Sequence, residues 1–311
     1  MTVLLTGGAG FIGSFVAESY LKKGFKVIIL DNFSTGRQDN IKSIIGNPNL
    51  IIYDIDIKYP SVKDIVKKHA PDIINHHAAQ KSIPNSINNP LSDANENIIG
   101  LLNIITSCKE SQIKNFVYIS SGGALSSSNE VITEDTKPGF ESSYAITKFA
   151  GENYVKLYSN LLNFSYSILR YGNVYGPRQT REGECGVIPI FIENIIANTA
   201  SYLYTYEDMP FGCVRDYVYV GDVAKANILA TKKPINDIVN ISSGKGEYIK
   251  SIYDCIKIVF DKDIPLLIKG PRQNDVKYSV LSSKKAKSLL NWEATTSLEE
   301  GIKTIFETYT M

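Results

Sequence analysis

Cysteine is scarce in this 311-residue chain, and its four copies, Cys108, Cys185, Cys213 and Cys255, lie far apart with no CxxC spacing. That excludes a disulfide framework and a cysteine-held zinc, and it fits a reducing cytosol. Two of only three histidines, His76 and His77, stand side by side, which is no ligand spacing; packing is expected of them, and no metal. A surplus of one charge is missing too. With 33 basic and 32 acidic residues the net charge is +1, so no bulk field draws the chain to nucleic acid or to an anionic membrane. No apolar run reaches 18 residues, and Val3-Leu4-Leu5 enters a glycine turn with no basic leader or cleavage site ahead of it. Neither a membrane span nor export is expected. Repeats and low-complexity tracts are absent, which excludes a solenoid or a disordered arm. What is left is a chain, 43% hydrophobic, able to bury a large core and to bind a small molecule.

The first half alternates short β-branched runs with helical patterns. Val3 to Thr6, Lys26 to Leu30, Leu50 to Tyr53, Asp72 to Asn75 and Phe116 to Ser120 read as strands. Gly13 to Lys22 and Ser92 to Ser107 carry apolar residues at helical spacing, the second with Ser92 as a candidate N-cap. Strands separated by helices imply right-handed crossovers and a parallel sheet. After about residue 170 the rhythm breaks at Pro177, Pro189, Pro210 and Pro234. The expected architecture is a Rossmann-type, doubly wound α/β domain over 1–170. A smaller substrate-binding α/β domain over 171–311 follows, with some elements interleaved.

Thr6-Gly7-Gly8-Ala9-Gly10-Phe11-Ile12-Gly13 joins the first strand to the first helix. Glycines there allow a tight turn and bring backbone N–H groups close to a pyrophosphate at the positive end of the helix. A glycine turn alone can be merely structural. Its context is more telling, since Asp31 ends the second strand 18 residues after Gly13. A carboxylate there accepts hydrogen bonds from ribose hydroxyls and repels a 2′-phosphate, which favours NAD over NADP.

Tyr144 and Lys148 lie four apart at the start of a predicted helix, on one face. A phenol titrating near pH 10 is a poor base at neutrality, but a neighbouring ammonium and a cationic nicotinamide both favour the phenolate. Lowering its pKa by about three units corresponds to roughly 4 kcal/mol, within reach of two close cations. Such a tyrosine can take a hydroxyl proton while hydride leaves the same carbon. A tyrosine and lysine at this spacing occur by chance in many helices; here they follow a fifth strand ending in Ser120-Ser121, where a hydroxyl can share the substrate hydrogen bond.

Together these residues resemble the extended short-chain dehydrogenase/reductase family, most closely its nucleotide-sugar epimerases of the UDP-glucose 4-epimerase type. The likeness covers nearly the whole chain: TGGAGFIGS from Thr6, DNFSTGRQDNI from Asp31, HHAAQKSIPNS from His76, Asn97 with Gly100, YISSGGA from Tyr118, SYAITK, LRYGNVYGPRQ from Leu169 and RDYVYVGDVAKA from Arg215. The resemblance implies a cofactor site formed by Gly7, Gly10, Phe11, Ile12, Gly13, Asp31, Asn32, Ser34, Thr35, Gly36, Asp54, Ile55, His77, Ala78, Ala79, Lys81, Asn97 and Tyr171. It implies that Lys81, Asn173, Val187, Arg215, Arg272 and Asp275 hold a nucleotide-diphosphate sugar, the arginines through paired charge-assisted bonds. The alternative for Arg215 and Arg272 is a surface ion pair with Asp216 or Asp275. A cytoplasmic homodimer is also implied, pairing through the Tyr144 helix and the 92–107 helix.

The chain departs from that family in places. The run after Ser121 is Gly122-Gly123-Ala124-Leu125-Ser126-Ser127 rather than valine-tyrosine-glycine, and Tyr204 to Phe211 replaces a glycine-aspartate-glycine turn. Ser279 stands where some epimerases carry a bulky residue that restricts the C2 substituent, which leaves room for an N-acetyl group. Ser121 is taken as the catalytic hydroxyl, with Ser120 in reserve. The expected function is a UDP-hexose 4-epimerase working through a transient 4-keto sugar. The alternatives are net C4 oxidation or 4-keto reduction, and a non-catalytic NAD-binding regulator. Dehydration and decarboxylation are disfavoured, because Gly122 and Gly123 stand where related enzymes place acidic residues.

Overall fold

The predicted strands form with ends shifted by a residue or so in a computed structural model that describes residues 1–125, 130–181, 186–272 and 276–310. They are β1 (Thr2–Thr6), β2 (Lys26–Asp31), β3 (Leu50–Asp54), β4 (Ile73–His76) and β5 (Asn115–Ser121). After them come β6 (Ser165–Tyr171), β7 (Asn173–Tyr175), β8 (Ser201–Tyr204), β9 (Val214–Tyr219), β10 (Asp237–Ile241), β11 (Gly246–Tyr248), β12 (Leu266–Lys269) and β13 (Tyr278–Ser279). Seven of them make one sheet in the order β3-β2-β1-β4-β5-β6-β10, with every neighbouring pair parallel. Such strands are covered on both faces, which is why they read as unbroken apolar runs. Leu4, Ile28, Ile74 and Phe116 pack one face against Leu101, Ile104 and Val155. Val3, Leu5 and Ile29 alternate to the other face, against Val16, Tyr20 and Ile228. Strand order reverses between β1 and β4, the switch point where a doubly wound sheet opens a crevice at its carboxyl ends.

Two helices differ from expectation. The first begins at Phe11 rather than Gly13. The second begins at Pro90, whose fixed φ suits a first helical position, so Ser92 lies inside it instead of capping it. That run is then interrupted by a π turn, Asn95–Ile99, before it continues as Gly100–Ser107. The large sheet draws β10 from beyond residue 170, and the Val220–Lys232 helix packs on the Phe11–Lys22 helix, so the two expected halves share layers. The remaining strands build a small sheet of β7, β9, β11 and β13 and a separate β8–β12 pair. Among the described residues no helix is long and apolar enough to cross a membrane.

Candidate active site

Close backbone contact fixes the glycine turn at Gly7 and Gly13. Gly7 has φ +67°, and a Cβ there would lie 2.8 Å from the Ala78 nitrogen; at Gly13 it would lie 2.1 Å from the Gly7 carbonyl oxygen. Gly10 caps the Phe11–Lys22 helix with no side-chain hydrogen bond, and the first-turn N–H groups of Phe11, Ile12 and Gly13 have no intrahelical acceptor, as in any helix. Free N–H groups at a helix start are the kind of site that can take a diphosphate, and the backbone of Ala78 after β4 lies against Gly7.

Asp31 and Asp54 end paired strands side by side, Asp31 buried and Asp54 exposed. The Asp31 carboxylate accepts hydrogen bonds from the Ala9 N–H at 2.8 Å and the Phe33 N–H at 2.9 Å, tying β2 to the glycine turn. Burial raises its pKa and those two bonds oppose the rise. Gly36 is packed against it, since a Cβ there would sit 2.6 Å from Asp31 Oδ1. Asn32, Ser34 and Thr35 are exposed around this loop; Asn32 Oδ1 accepts from the Ser34 hydroxyl at 2.7 Å. Ile55 follows, its N–H bonded to the Asp31 carbonyl at 2.9 Å.

Helix Ser143–Leu162 starts where the Ser142 hydroxyl accepts from the Ala145 N–H, a side-chain cap that fixes the turn carrying Tyr144. One turn on, Lys148 is 4% exposed and its Nζ donates to the Ile119 carbonyl at 3.0 Å, 5.9 Å from the Tyr144 ring centre. Burial pushes the Lys148 pKa down to about 8, against the pull of Asp93 and Glu152. It therefore stays mostly ammonium at neutral pH. His76 and His77 are pushed down to about 3 by burial and by the Lys148 charge, so both stay neutral. Thr6 bonds His76 at 3.0 Å, and Tyr171, buried at the end of β6, lies 3.4 Å from His77 Nε2.

The two serines differ sharply. Ser120 is buried and donates to Glu152 Oε1 at 2.6 Å, whereas Ser121 is half-buried and its hydroxyl accepts from the Ala124 N–H at 3.4 Å. Glu152 also receives Arg170 through Nε at 2.8 Å and Nη2 at 2.7 Å. Asn97 binds within the chain: its Oδ1 accepts from the Gln80 N–H at 2.9 Å, and its Nδ2 faces the Gln80 carbonyl, Asp93 and Thr147. Asp93 accepts from Gln80, Asn97 and Thr147, so this fully buried carboxylate links the loop before Lys81 to the residue before Lys148. Asp93, Glu152 and Arg170 were not singled out from the sequence. Glu152 could have been, as it continues the stride of four from Tyr144 and Lys148; the π turn hides Asp93.

The small sheet gathers Asn173, Arg215 and Ser279, three residues expected to meet the substrate. Asn173 on β7 donates to the Asp216 carbonyl at 3.1 Å, and Ser279 on β13 is in register with Arg215 on β9. Ser279 is 3% exposed and lies against Gly123, where a Cβ would come within 2.9 Å of its hydroxyl. The Asp216 carboxylate accepts from the Ser243 N–H and hydroxyl and from the N–H groups of Gly244 and Leu281. Arg272 is stacked 5.0 Å from the Tyr204 ring centre, and Val187 opens the helix Val187–Ile196. Asp275, like Ser126 and Ser127, lies outside the described residues.

Known proteins resemble this chain in sequence and fold. Residues 3–242 match the NAD dependent epimerase/dehydratase family. A putative UDP-glucose 4-epimerase of Methanocaldococcus jannaschii is 37% identical over 305 residues, covering 97% of this chain and 96% of its own. The crystal structure of UDP-glucose 4-epimerase from Thermotoga maritima with UDP-glucose superposes with TM-score 0.92 at 36% identity, over 100% of both chains. That of the Thermus thermophilus enzyme complexed with NAD gives 0.91 at 34%, over 100% of this chain and 99% of that one. By sequence match and fold, the chain belongs to the NAD dependent epimerase/dehydratase family.

Proposed function

We propose that this protein is an NAD-dependent 4-epimerase of UDP-hexoses. The observation that carries the reading is a buried lysine bonded to the Ile119 carbonyl near the end of β5 and one helical turn from Tyr144, in a chain whose first βα turn leaves no room for a side chain at Gly7 or Gly13. Gly7, Gly10, Phe11, Ile12 and Gly13 hold the dinucleotide's diphosphate by their backbone, and Asp31, with Asn32 and the Ser34–Gly36 loop, holds its ribose. In this cradle NAD, when bound, would supply reversible hydride acceptance next to the sugar's C4. Tyr144 removes the C4 hydroxyl proton and later restores it, Lys148 keeps the phenolate charged, and Ser121 bonds the same oxygen. Asn97 acts through the Gln80 loop, which sets Lys81. Asn173, Arg215 and Arg272 grip the nucleotide diphosphate.

Epimerisation is preferred to net oxidation or reduction because the relatives that match over nearly full length carry that name. Replacing Tyr144 with Phe is expected to lower kcat by at least about 10²-fold. Near-normal turnover of UDP-galactose by that variant refutes the assignment, and stoichiometric growth of reduced-nicotinamide absorbance in the unaltered protein favours the oxidase alternative.

We infer a homodimer as well. Ile146, Leu157 and Leu161 are exposed at 52%, 52% and 64% along one face of the Ser143–Leu162 helix, beside exposed Leu91 and Ile99 on the adjoining helical run. So much apolar surface on two packed helices suits a second copy of the same face. A monomer by light scattering at micromolar concentration would remove the proposal. A cytoplasmic location is consistent with the free thiols of Cys108, Cys213 and Cys255 among the described residues.

A further inference from the structure

A buried ion pair is a weak stabiliser, since taking two charges out of water offsets most of their attraction. One lies directly behind the catalytic residues. Arg170 sits on β6 in register with Ser120 on β5, and Glu152 lies one turn beyond Lys148 on the facing helix. Both side chains are almost wholly enclosed, at 6% and 1% exposure, and joined by two bonds. Arg170 Nη1 donates further to the Glu134 carbonyl at 3.1 Å, and the Glu134 carboxylate accepts from the Asn240 N–H at 2.7 Å on β10. Ser120 completes the set by donating to Glu152 at 2.6 Å.

The helix therefore meets β5 at two consecutive residues: Lys148 holds the Ile119 carbonyl and Glu152 holds the Ser120 hydroxyl. The next residue, Ser121, has a more open position. We infer that Glu152 and Arg170 are positioning residues, which fix the Tyr144–Lys148 helix against the end of β5 through Ser120 and so assign the substrate hydroxyl contact to Ser121. The inference rests on the epimerase reading above. It adds the statement that charge at 152 and 170 is kept for the reaction geometry rather than for folding.

Glu152→Leu/Arg170→Met replaces the pair with apolar side chains of similar size, an exchange that buried pairs commonly tolerate. With the full-length protein and UDP-galactose as probe, the double variant is expected to keep its melting temperature and a KM within about threefold, while kcat falls at least tenfold, the scale of a small misplacement of reacting groups. Glu152→Gln, which retains an acceptor for Ser120, is expected to lose less. Ser120→Ala, which removes only the tether, covers the case of a double variant that does not fold; there kcat is expected to fall several-fold with KM held. A folded double variant, or failing that Ser120→Ala, with kcat within twofold of the unaltered protein overturns the inference. If the unaltered protein itself does not epimerise, the epimerase reading fails instead, and the two failures are distinct.

Discussion

Replacing Lys148 with Met should cripple turnover while relieving a strain on the fold. The ammonium is enclosed, and its pKa falls from 10.5 to about 8. At 1.36 kcal/mol per unit, that shift corresponds to roughly 3 kcal/mol of penalty on the folded state. The sign follows from the direction: a lowered lysine pKa disfavours the charged form in the fold. The penalty is therefore fully present below pH 8, fades between about 8 and 10.5, and vanishes above. Methionine removes it but leaves the Ile119 carbonyl without its donor, a loss of about 1–3 kcal/mol. The net effect at pH 7 is a gain between zero and about 2 kcal/mol, and the advantage should shrink by about 2 kcal/mol on going to pH 9.5. Urea unfolding of the nucleotide-free protein at both pH values, with and without the substitution, reads this directly. A difference that stays constant between pH 7 and 9.5 refutes the reasoning. Turnover of the Met variant should drop by about 10² or more.

Gly13→Ala should abolish retention of NAD, because the new methyl would sit 2.1 Å from the Gly7 carbonyl and force the cradle open; nucleotide released from purified protein, measured by mass spectrometry, should fall to background, and a full complement would contradict the proposed cradle. Ser279→Tyr should lower kcat/KM for an N-acetylhexosamine substrate at least tenfold more than for the plain hexose, since a tyrosine ring would take the room that the serine leaves for the C2 substituent; because Ser279 is 3% exposed, the variant is first shown to keep its melting temperature. Parallel losses on both substrates would dismiss Ser279 as a selector.

The nucleotide half of the fold was legible because its signals are local. Val3-Leu4-Leu5 and Val27-Ile28-Ile29 are apolar without alternation, as strands covered on both faces must be, and each is followed by a turn and a helix. The glycine turn, Asp31 and the Tyr144–Lys148 stride are likewise short-range patterns. Residues that act across the sheet were not legible. Arg170 meets Glu152 only because the Ser143–Leu162 helix packs across β5 and β6, and β10 joins the large sheet from 66 positions beyond β6. Asp93 was obscured for another reason: the π turn after it breaks the 3.6-residue period by which an inward-facing carboxylate is recognised. Ser92 reads as a cap by residue type alone, but Pro90 two residues earlier supplies the helix start.

Ser120 and Ser121 are the same amino acid in adjacent positions, yet they live in different surroundings because side chains alternate along a strand. Inserting or deleting a single residue between Asn115 and Ser121 would exchange those surroundings. The hydroxyl beside Glu152 would turn away, and a buried carboxylate and guanidinium would be left with a misfit neighbour. The length of this strand is thus as much a part of the proposed catalytic apparatus as the identity of any group on it, and a comparison that slides one serine onto the other would match letters while swapping surroundings.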